Sequence, residues 1–145
     1  MPNSFKLEVV TPEKLFYQGK VEIVIVRTFT GEEGFMANHA WACKLLDVGE
    51  MWFKEVDTGK YKVAAISGGF IDVKKEIMIF TDSAEWPEDI DVDRQNETKR
   101  KAEERLKEAL ASKEKNENAI MDAQKSIKKA KNRLSVKAGG KRPRS

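Results

Sequence analysis

Cysteine and histidine each occur only once in this 145-residue sequence, as Cys43 and His39. A single cysteine excludes a disulfide within the chain and fits a reducing compartment. Because its neighbours are apolar, we expect Cys43 to be a small core residue rather than a nucleophile. His39 has no second histidine or cysteine pair at metal-ligand spacing, which predicts a polar surface or interface group and no metal site.

The sequence also lacks the motifs of an enzyme. Residues 67–69 read Ser-Gly-Gly, but no Lys-Ser/Thr pair follows to hold phosphate and metal as in a phosphate-binding loop. These glycines instead favour a tight turn or a bulge between strands. No serine lies in a nucleophile elbow, so we expect the chain to carry no catalytic residues.

Long apolar runs are missing as well. The longest purely aliphatic run is residues 23–26, far short of the ~20 residues that a membrane helix needs. The N-terminus has no basic patch followed by an apolar stretch, so we expect no export signal. An apolar content of 40% with 35% charged residues is typical of a soluble protein with a modest core.

Charge is divided unevenly along the chain. Residues 1–86 contain 10 Lys and Arg against 13 Asp and Glu, a net charge of −3, whereas residues 87–145 contain 17 against 11, a net charge of +6. Nine basic residues and no acidic ones follow Asp122. A basic end of this kind indicates nucleic acid, anionic lipid or an acidic protein surface as a partner.

The hydrophobic period changes at Trp86-Pro87. Before this point, short alternating apolar runs separated by turn residues predict strands, and residues 57–60 predict a hairpin loop. Residues 31–34 predict a turn. We therefore predict an antiparallel β-sandwich or barrel over residues 1–86. The runs are residues 5–9, 15–17, 21–28, 45–48, 51–56, 61–66, 70–73 and 77–80.

After Pro87 the apolar residues recur every three or four positions, which predicts two helices broken at residues 112–116. Asp89 or Asp91 can cap the first helix. We predict an antiparallel two-helix hairpin over residues 87–136 and a disordered basic tail over residues 137–145, so the fold class is α+β by content. The two stripes are Val92, Ala102, Leu106, Ala109 and Leu110, and Ile120, Ala123, Ile127, Ala130 and Leu134. Their alanines bury little apolar area, so we expect a weakly held hairpin.

Six short motifs, in this order along nearly the whole chain, resemble the epsilon subunit of the bacterial F-type ATP synthase. They are Val9-Val10-Thr11-Pro12-Glu13, Gly31-Glu32-Glu33-Gly34 followed by His39-Ala40, Ser67-Gly68-Gly69-Phe70, Asp82-Ser83-Ala84-Glu85, Glu88-Asp89-Ile90-Asp91 and Asn132-Arg133-Leu134-Ser135-Val136. The chain departs from the family at residues 37–38, where Pro-Gly is usual, and at residues 41–42, where Pro-Leu is usual.

The resemblance implies a non-catalytic rotor subunit of the central stalk, which couples proton translocation to ATP synthesis. Its implied partners are the gamma subunit, the c-ring and the alpha and beta subunits. It would lie on the cytoplasmic face of the bacterial cell membrane and touch the membrane only through the complex. By position, Glu32 and His39 are expected to face the rotor, with ordinary turn polarity as the alternative.

The resemblance also implies that the helical hairpin inhibits ATP hydrolysis when it extends along gamma. Its basic second helix would then meet an acidic segment of the beta subunit. The expected inhibitory face is Lys125, Lys128, Lys129, Lys131 and Arg133. The repulsion among these cations would be relieved by an acidic partner. The alternative is a solvated basic face.

Some bacterial members bind ATP in the folded hairpin through the motif Ile/Leu-Asp-x-x-Arg-Ala. Here residues 90–95 read Ile-Asp-Val-Asp-Arg-Gln, so Gln95 replaces the alanine. ATP is thus a possible regulatory ligand, and no cofactor is required. The implied nucleotide-binding residues are Glu85, Asp91, Arg94, Lys101, Lys129 and Arg133. The alternative is a helix cap at Asp91 with an ion pair to Arg94.

A nucleic-acid-binding β-barrel with a basic tail is the alternative of a different class. The predicted strands include aromatic residues such as Phe5, Trp52 and Tyr61, on which bases could stack. The net negative charge of residues 1–86 opposes a groove that follows phosphates. We therefore expect no nucleic-acid partner.

Overall fold

Seven strands precede two helices in the computed structural model, which describes residues 3–141. The strands are β1 (Phe5–Val10), β2 (Leu15–Thr28), β3 (Gly31–Met36), β4 (Ala42–Glu55), β5 (Tyr61–Val73), β6 (Ile77–Phe80) and β7 (Ala84–Glu85). A single 3-10 turn (Pro87–Asp89) leads into the helices α1 (Val92–Ala111) and α2 (Glu117–Lys137). The predicted β domain followed by a helical hairpin is confirmed.

The strands close into a barrel because β1 pairs with two neighbours. The order is β1-β6-β5-β4-β2-β3, and β1 also pairs with β2. β7 adds to β5. All pairings are antiparallel except β1 with β6, where Leu7 lies opposite Ile77 in a parallel register. This one parallel pair departs from the purely antiparallel sheet that we expected.

The barrel core is formed by the inward-facing residues of alternating strands. Phe5, Leu7 and Val9 are buried and alternate with half-buried residues, as the period of two predicts. Val24, Phe35, Met51, Phe53, Ile66, Ile71 and Ile79 complete the centre of this core. Burial of these side chains is the main source of stability for the barrel.

Three of the strands are longer than the apolar runs predicted. β2, β4 and β5 each run unbroken through polar or glycine residues that we had placed between strands. Residues 31–34 are not a turn but begin β3, and the turn lies at Phe29-Thr30. Strand pairing on both sides overrides the local turn propensity of these residues.

Cys43 is exposed on β4, so the prediction of a core cysteine is wrong. Its apolar neighbours Trp41 and Leu45 are themselves 72% and 68% exposed. The apolar residues around Cys43 therefore form outer surface rather than core.

The helical hairpin is capped at both helix starts. Asp91 Oδ1 accepts a hydrogen bond from the Arg94 backbone N–H at 3.1 Å, so Asp91 rather than Asp89 caps α1. Asn116 Oδ1 accepts from the Ala119 N–H at 3.2 Å at the start of α2. These caps satisfy backbone donors that the first turn of a helix leaves free.

Alanines form the buried seam between the helices. Ala102, Ala123 and Ala130 are buried, as the alanine spacing predicts. Val92 and Leu110 were expected in the same stripe, but both are exposed, because they lie in the first and last turns of α1. The seam is therefore shorter than the predicted stripe.

The hairpin connects to the barrel at a fixed aromatic anchor. Trp86 stacks on Phe16 with ring centroids 4.4 Å apart and also meets Tyr17 and Phe53 edge-on. Four residues later, Ile90 is buried. The backbone between Trp86 and α1 is thus where the barrel ends and the hairpin, which we call the arm, begins.

The end of α2 does not become a free tail at residue 137. Lys137 is the last helical residue, and the Lys141 backbone N–H donates to Glu50 Oε1 at 2.8 Å. The predicted disorder is therefore wrong for residues 137–141, which are tied to the barrel. Residues 142–145 of that prediction lie outside the described residues.

Within residues 3–141, no helix is sufficiently long and apolar to cross a membrane.

Gly69 is required where β5 changes its partner from β7 to β6. Its φ is +108°, and a Cβ there would overlap the carbonyl oxygen of Phe80. Gly69→Ala should lower the free energy of unfolding by about 3 kcal/mol or more, measured by urea denaturation.

Gly31→Ala is the matched control for this substitution. Gly31 has a φ of +122° but open space around its missing Cβ, so we expect a loss of only about 1 kcal/mol. Equal losses in the two variants would contradict the steric role of Gly69.

Candidate functional site

Two polar clusters join α2 to the barrel. The first, which we call the Arg133 cluster, contains Ser83, Glu85, Gln95, Lys129 and Arg133. The second, which we call the β4 contact, joins Asp47, Gly49 and Glu50 of β4 to Lys128, Asn132 and Ser135 of α2. A small apolar cluster is buried at the same junction, formed by Ala65, Ile90 and Val136 with Val63 packed against it.

The guanidinium of Arg133 organises the first cluster. Its Nε lies 2.8 Å from Glu85 Oε1, and its Nη2 donates to Ser83 Oγ at 3.4 Å. Two residues that the resemblance implied for a nucleotide, Glu85 and Arg133, are thus brought together. They come from different elements, since Glu85 is the last residue of β7 in the barrel and Arg133 lies in the last turns of α2.

Gln95 completes the set of acceptors around Arg133. Its side chain is 6% exposed, and its Oε1 accepts from Arg133 Nη1 at 3.5 Å. The sequence identified Gln95 only as a departure from the family motif. In the structure, it supplies a neutral acceptor to the guanidinium, which an alanine at this position could not do.

Lys129 carries the least compensated charge of the cluster. Burial lowers the pKa of its ammonium, and the neighbouring charges of Lys125 and Arg133 lower it further, against a smaller opposing effect of Asp82. A cation whose charged form is disfavoured in this way gains when an anion comes close. This corner of the arm can therefore accept a negatively charged group.

The remaining residues implied for a nucleotide lie on α1. Asp91 caps the helix, and Arg94 contributes its backbone N–H to that cap. The Lys101 ammonium lies 4.0 Å from Glu97 on its own helix. The structure thus groups Glu85, Lys129 and Arg133, whereas Asp91, Arg94 and Lys101 are exposed on α1. The capping role of Asp91 that the alternative predicted is present.

The predicted inhibitory face is divided in the folded arm. Lys128 Nζ lies 2.7 Å from Asp47, and Arg133 binds Glu85, so the barrel neutralises these two cations. Lys125 and Lys131 remain exposed to solvent. The acidic partner expected for this face is therefore supplied, in part, by the barrel of the same chain.

The two residues expected to face the rotor lie on β3 and the turn after it. Glu32 is exposed and 3.5 Å from Arg27, and the exposed His39 ring lies edge-on to Phe35. Close to them in sequence, Met36 and Trp41 are also exposed. Two further apolar residues of the predicted strands, Leu45 on β4 and Phe70 on β5, are exposed as well.

The β4 contact was missed by the sequence analysis altogether. Its helix residues, Lys128, Asn132 and Ser135, lie four and three positions apart and thus on one face of α2. This polar stripe was a detectable signal, but nothing local identifies its partners on β4.

Among residues 3–141, no group of three or more His, Cys, Asp and Glu side chains is arranged to hold a metal ion.

Comparison with known proteins agrees with this architecture. The beta-sandwich domain of the ATP synthase delta/epsilon chain matches residues 4–87. The ATP synthase epsilon chain of Alkaliphilus metalliredigens is 42% identical over 137 residues, which cover 94% of this chain and 97% of that protein. The epsilon chain of Caldanaerobacter subterraneus subsp. tengcongensis is 36% identical over 138 residues, with 94% and 95% covered.

Solved structures show the same fold. A chain in the cryo-EM structure of the Euglena gracilis mitochondrial ATP synthase, with OSCP, F1 and c-ring, superposes with a TM-score of 0.77 at 22% identity, covering 94% of this chain and 82% of that one. With a matched domain over residues 4–87 and full-length bacterial relatives, the chain belongs to the ATP synthase delta/epsilon family, as an epsilon chain of the bacterial type.

Proposed function

We propose that this chain is a non-catalytic rotor subunit of the central stalk, which couples proton translocation to ATP synthesis and whose arm inhibits ATP hydrolysis. The observation that supports it best is the polar docking of α2, which has only a small apolar contact at Ala65, Ile90 and Val136. An element held in this way can leave the barrel without exposing a large apolar core.

The exposed apolar residues on the outer surface of the barrel support the proposal that the chain contacts other proteins. Trp41, Leu45 and Phe70 are exposed apolar residues, and Phe70 stacks on Phe80 with ring centroids 4.8 Å apart. Exposed apolar groups of this size mark protein interfaces. We assign this surface to the gamma subunit and the region of Glu32 and His39 to the c-ring. The subunit then lies at the cytoplasmic face of the bacterial cell membrane, within the complex.

Inhibition follows from competition for the same cations. In the folded arm, Lys128 and Arg133 bind Asp47 and Glu85. In the extended arm they would join Lys125, Lys129 and Lys131 against an acidic segment of the beta subunit. Because a cation cannot satisfy both partners at once, the folded arm and the inhibitory arm exclude each other.

ATP is the regulatory ligand that we assign to the Arg133 cluster. The triphosphate would compensate the charges of Lys129 and Arg133, whose mutual repulsion contributes to the lowered pKa of Lys129. Because Arg133 lies between the arm and Glu85 of the barrel, a ligand held there favours the folded arm. Gln95 and Glu85 already contact the Arg133 guanidinium, so the ligand would bind this guanidinium together with these two side chains.

Loss of the Arg133 guanidinium should weaken ATP binding. For Arg133→Gln we expect at least a tenfold loss of affinity by isothermal titration calorimetry of the full chain, because charge-assisted bonds contribute roughly 1.5–3 kcal/mol each. Arg100→Gln is the control, since Arg100 pairs with Glu97 and Glu104 on the exposed side of α1. Absence of binding heat in the unsubstituted chain would rule out the ATP site.

Because the pKa of Lys129 is lowered, ATP binding should be coupled to the uptake of protons. Because this pKa is lowered, part of the Lys129 amine is already deprotonated at a pH just below the ordinary lysine pKa, and an adjacent triphosphate would raise the pKa again. Binding at about pH 9–10, just below the ordinary lysine pKa, should therefore take up protons. Calorimetry in buffers of different ionisation enthalpy measures this uptake, which Lys129→Gln should abolish. Proton release on binding would contradict the assignment of Lys129.

Removing the arm should release the assembled complex from inhibition. Deletion of residues 88–145 should raise its ATP hydrolysis while the barrel still assembles. A finer variant, Lys125→Glu with Lys131→Glu, changes two cations that are exposed in the folded arm, so it should raise hydrolysis several-fold without undocking the arm.

The control for that charge change is Lys113→Glu with Lys115→Glu. Both lysines lie between the helices and are exposed, and the net charge changes equally. Hydrolysis should stay at the level of the unsubstituted complex. If both pairs raised hydrolysis alike, net charge rather than the basic face would be responsible.

A further inference from the structure

Glu50 of β4 receives three hydrogen bonds, two of which come from the arm. Its Oε2 accepts from Ser135 Oγ at 2.9 Å, and its Oε1 accepts from the Lys141 backbone N–H at 2.8 Å. The third bond, from Trp52 Nε1 at 2.9 Å, orients the carboxylate from within the barrel. Both oxygens of one carboxylate are thus committed to holding the end of the arm.

The segment after α2 is shaped to reach this carboxylate. We call residues 138–141 the strap. Its first glycine, Gly139, has a φ of +111°, and Gly140 follows with a φ of +67°. The Gly140 N–H returns to the Ser135 carbonyl at 2.8 Å. These left-handed conformations reverse the chain after α2, so that the Lys141 N–H points back to the barrel.

Gly140 also allows the strap to lie close to the barrel. A Cβ at this position would lie 2.9 Å from both Glu50 Oε1 and Trp52 Cζ2. Any other residue would force the strap, the Glu50 carboxylate or the Trp52 ring to move. The bond from Lys141 to Glu50 therefore depends on a glycine in a left-handed conformation beside Trp52.

Apolar packing does not seal this contact. Beside it lies a cleft of about 300 Å³ between β4 and α2, bordered by Arg27, Trp52 and Lys131 among other residues. Lys128 and Asn132 bind Asp47 and the Gly49 carbonyl along the same cleft. The face of α2 toward β4 is thus held by hydrogen bonds and one ion pair.

We propose that Glu50 is a latch that keeps the arm folded, and that the strap closes this latch from the end of α2. The latch is separate from the Arg133 cluster, so it acts whether or not a nucleotide binds there. Because the acceptor is charged and serves two groups of the arm, losing its charge should raise the population of the undocked arm roughly tenfold to a hundredfold.

Hydrogen exchange of the full chain without nucleotide tests the latch. Glu50→Gln keeps the shape of the side chain but removes its charge, and we expect amides of α2 to exchange at least tenfold faster while those of β1 and β6 are unchanged. Ser135→Ala, which alters only the arm, should act in the same direction. Glu22→Gln is the control, because Glu22 pairs with Lys54 within the barrel.

The strap is tested by Gly140→Ala against Gly59→Ala. The two glycines have φ values of +67° and +66°, but only Gly140 has neighbours at the position of a Cβ. Gly140→Ala should speed exchange in α2, whereas Gly59→Ala should not. Exchange in α2 within twofold of the unsubstituted chain in both Ser135→Ala and Gly140→Ala would overturn the proposal, even if Glu50→Gln disturbed the barrel.

Discussion

The structure of the arm depends on one constraint, which is that α2 docks on the barrel through charge and hydrogen bonds rather than through a large apolar surface. Lys128, Asn132 and Arg133 find acceptors on the barrel within 2.7 to 2.8 Å, while the buried apolar cluster that includes Val136 of α2 is small. The barrel has its own core, and all of the buried residues of that core lie on the strands. Docking strength is thus separable from barrel stability, and it weakens with ionic strength as exposed ion pairs do.

This constraint is what the two states proposed for the arm depend on. The cations proposed to meet the beta subunit include those that Asp47 and Glu85 neutralise in the folded arm. Trp86 stacks on Phe16 of the barrel, so the proposed change of state would involve the segment that follows this anchor. Gln95 and Glu50 both add acceptors that favour the folded arm, at opposite sides of α2. The proposed balance between the two states of the arm then depends on several acceptors.

Much of the fold could be predicted from the sequence because periodicity is a local property. The alternation at Phe5, Leu7 and Val9 and the alanine spacing of the helices describe backbone repeats of two and 3.6 residues. The predictions that were wrong concern burial. Cys43 has apolar neighbours and Val92 belongs to an apolar stripe, yet both are exposed, because the neighbours of Cys43 are themselves exposed and Val92 lies in the first turn of α1. An apolar pattern indicates which face of a helix or strand can be buried, but it does not identify the element that packs on that face.

The sequence by itself determined the barrel-then-hairpin order, a helix cap at Asp89 or Asp91, the basic second helix and the family motifs. Only the tertiary structure decided which cations are paired, that Gln95 contacts Arg133, and that residues 137–141 return to Glu50. The physical reason is distance along the chain. Lys128 and Asp47 are 81 residues apart, and Lys141 and Glu50 are 91 apart, so their pairing depends on how the barrel closes. Closure through the parallel β1–β6 pair is itself a long-range contact that no local period specifies.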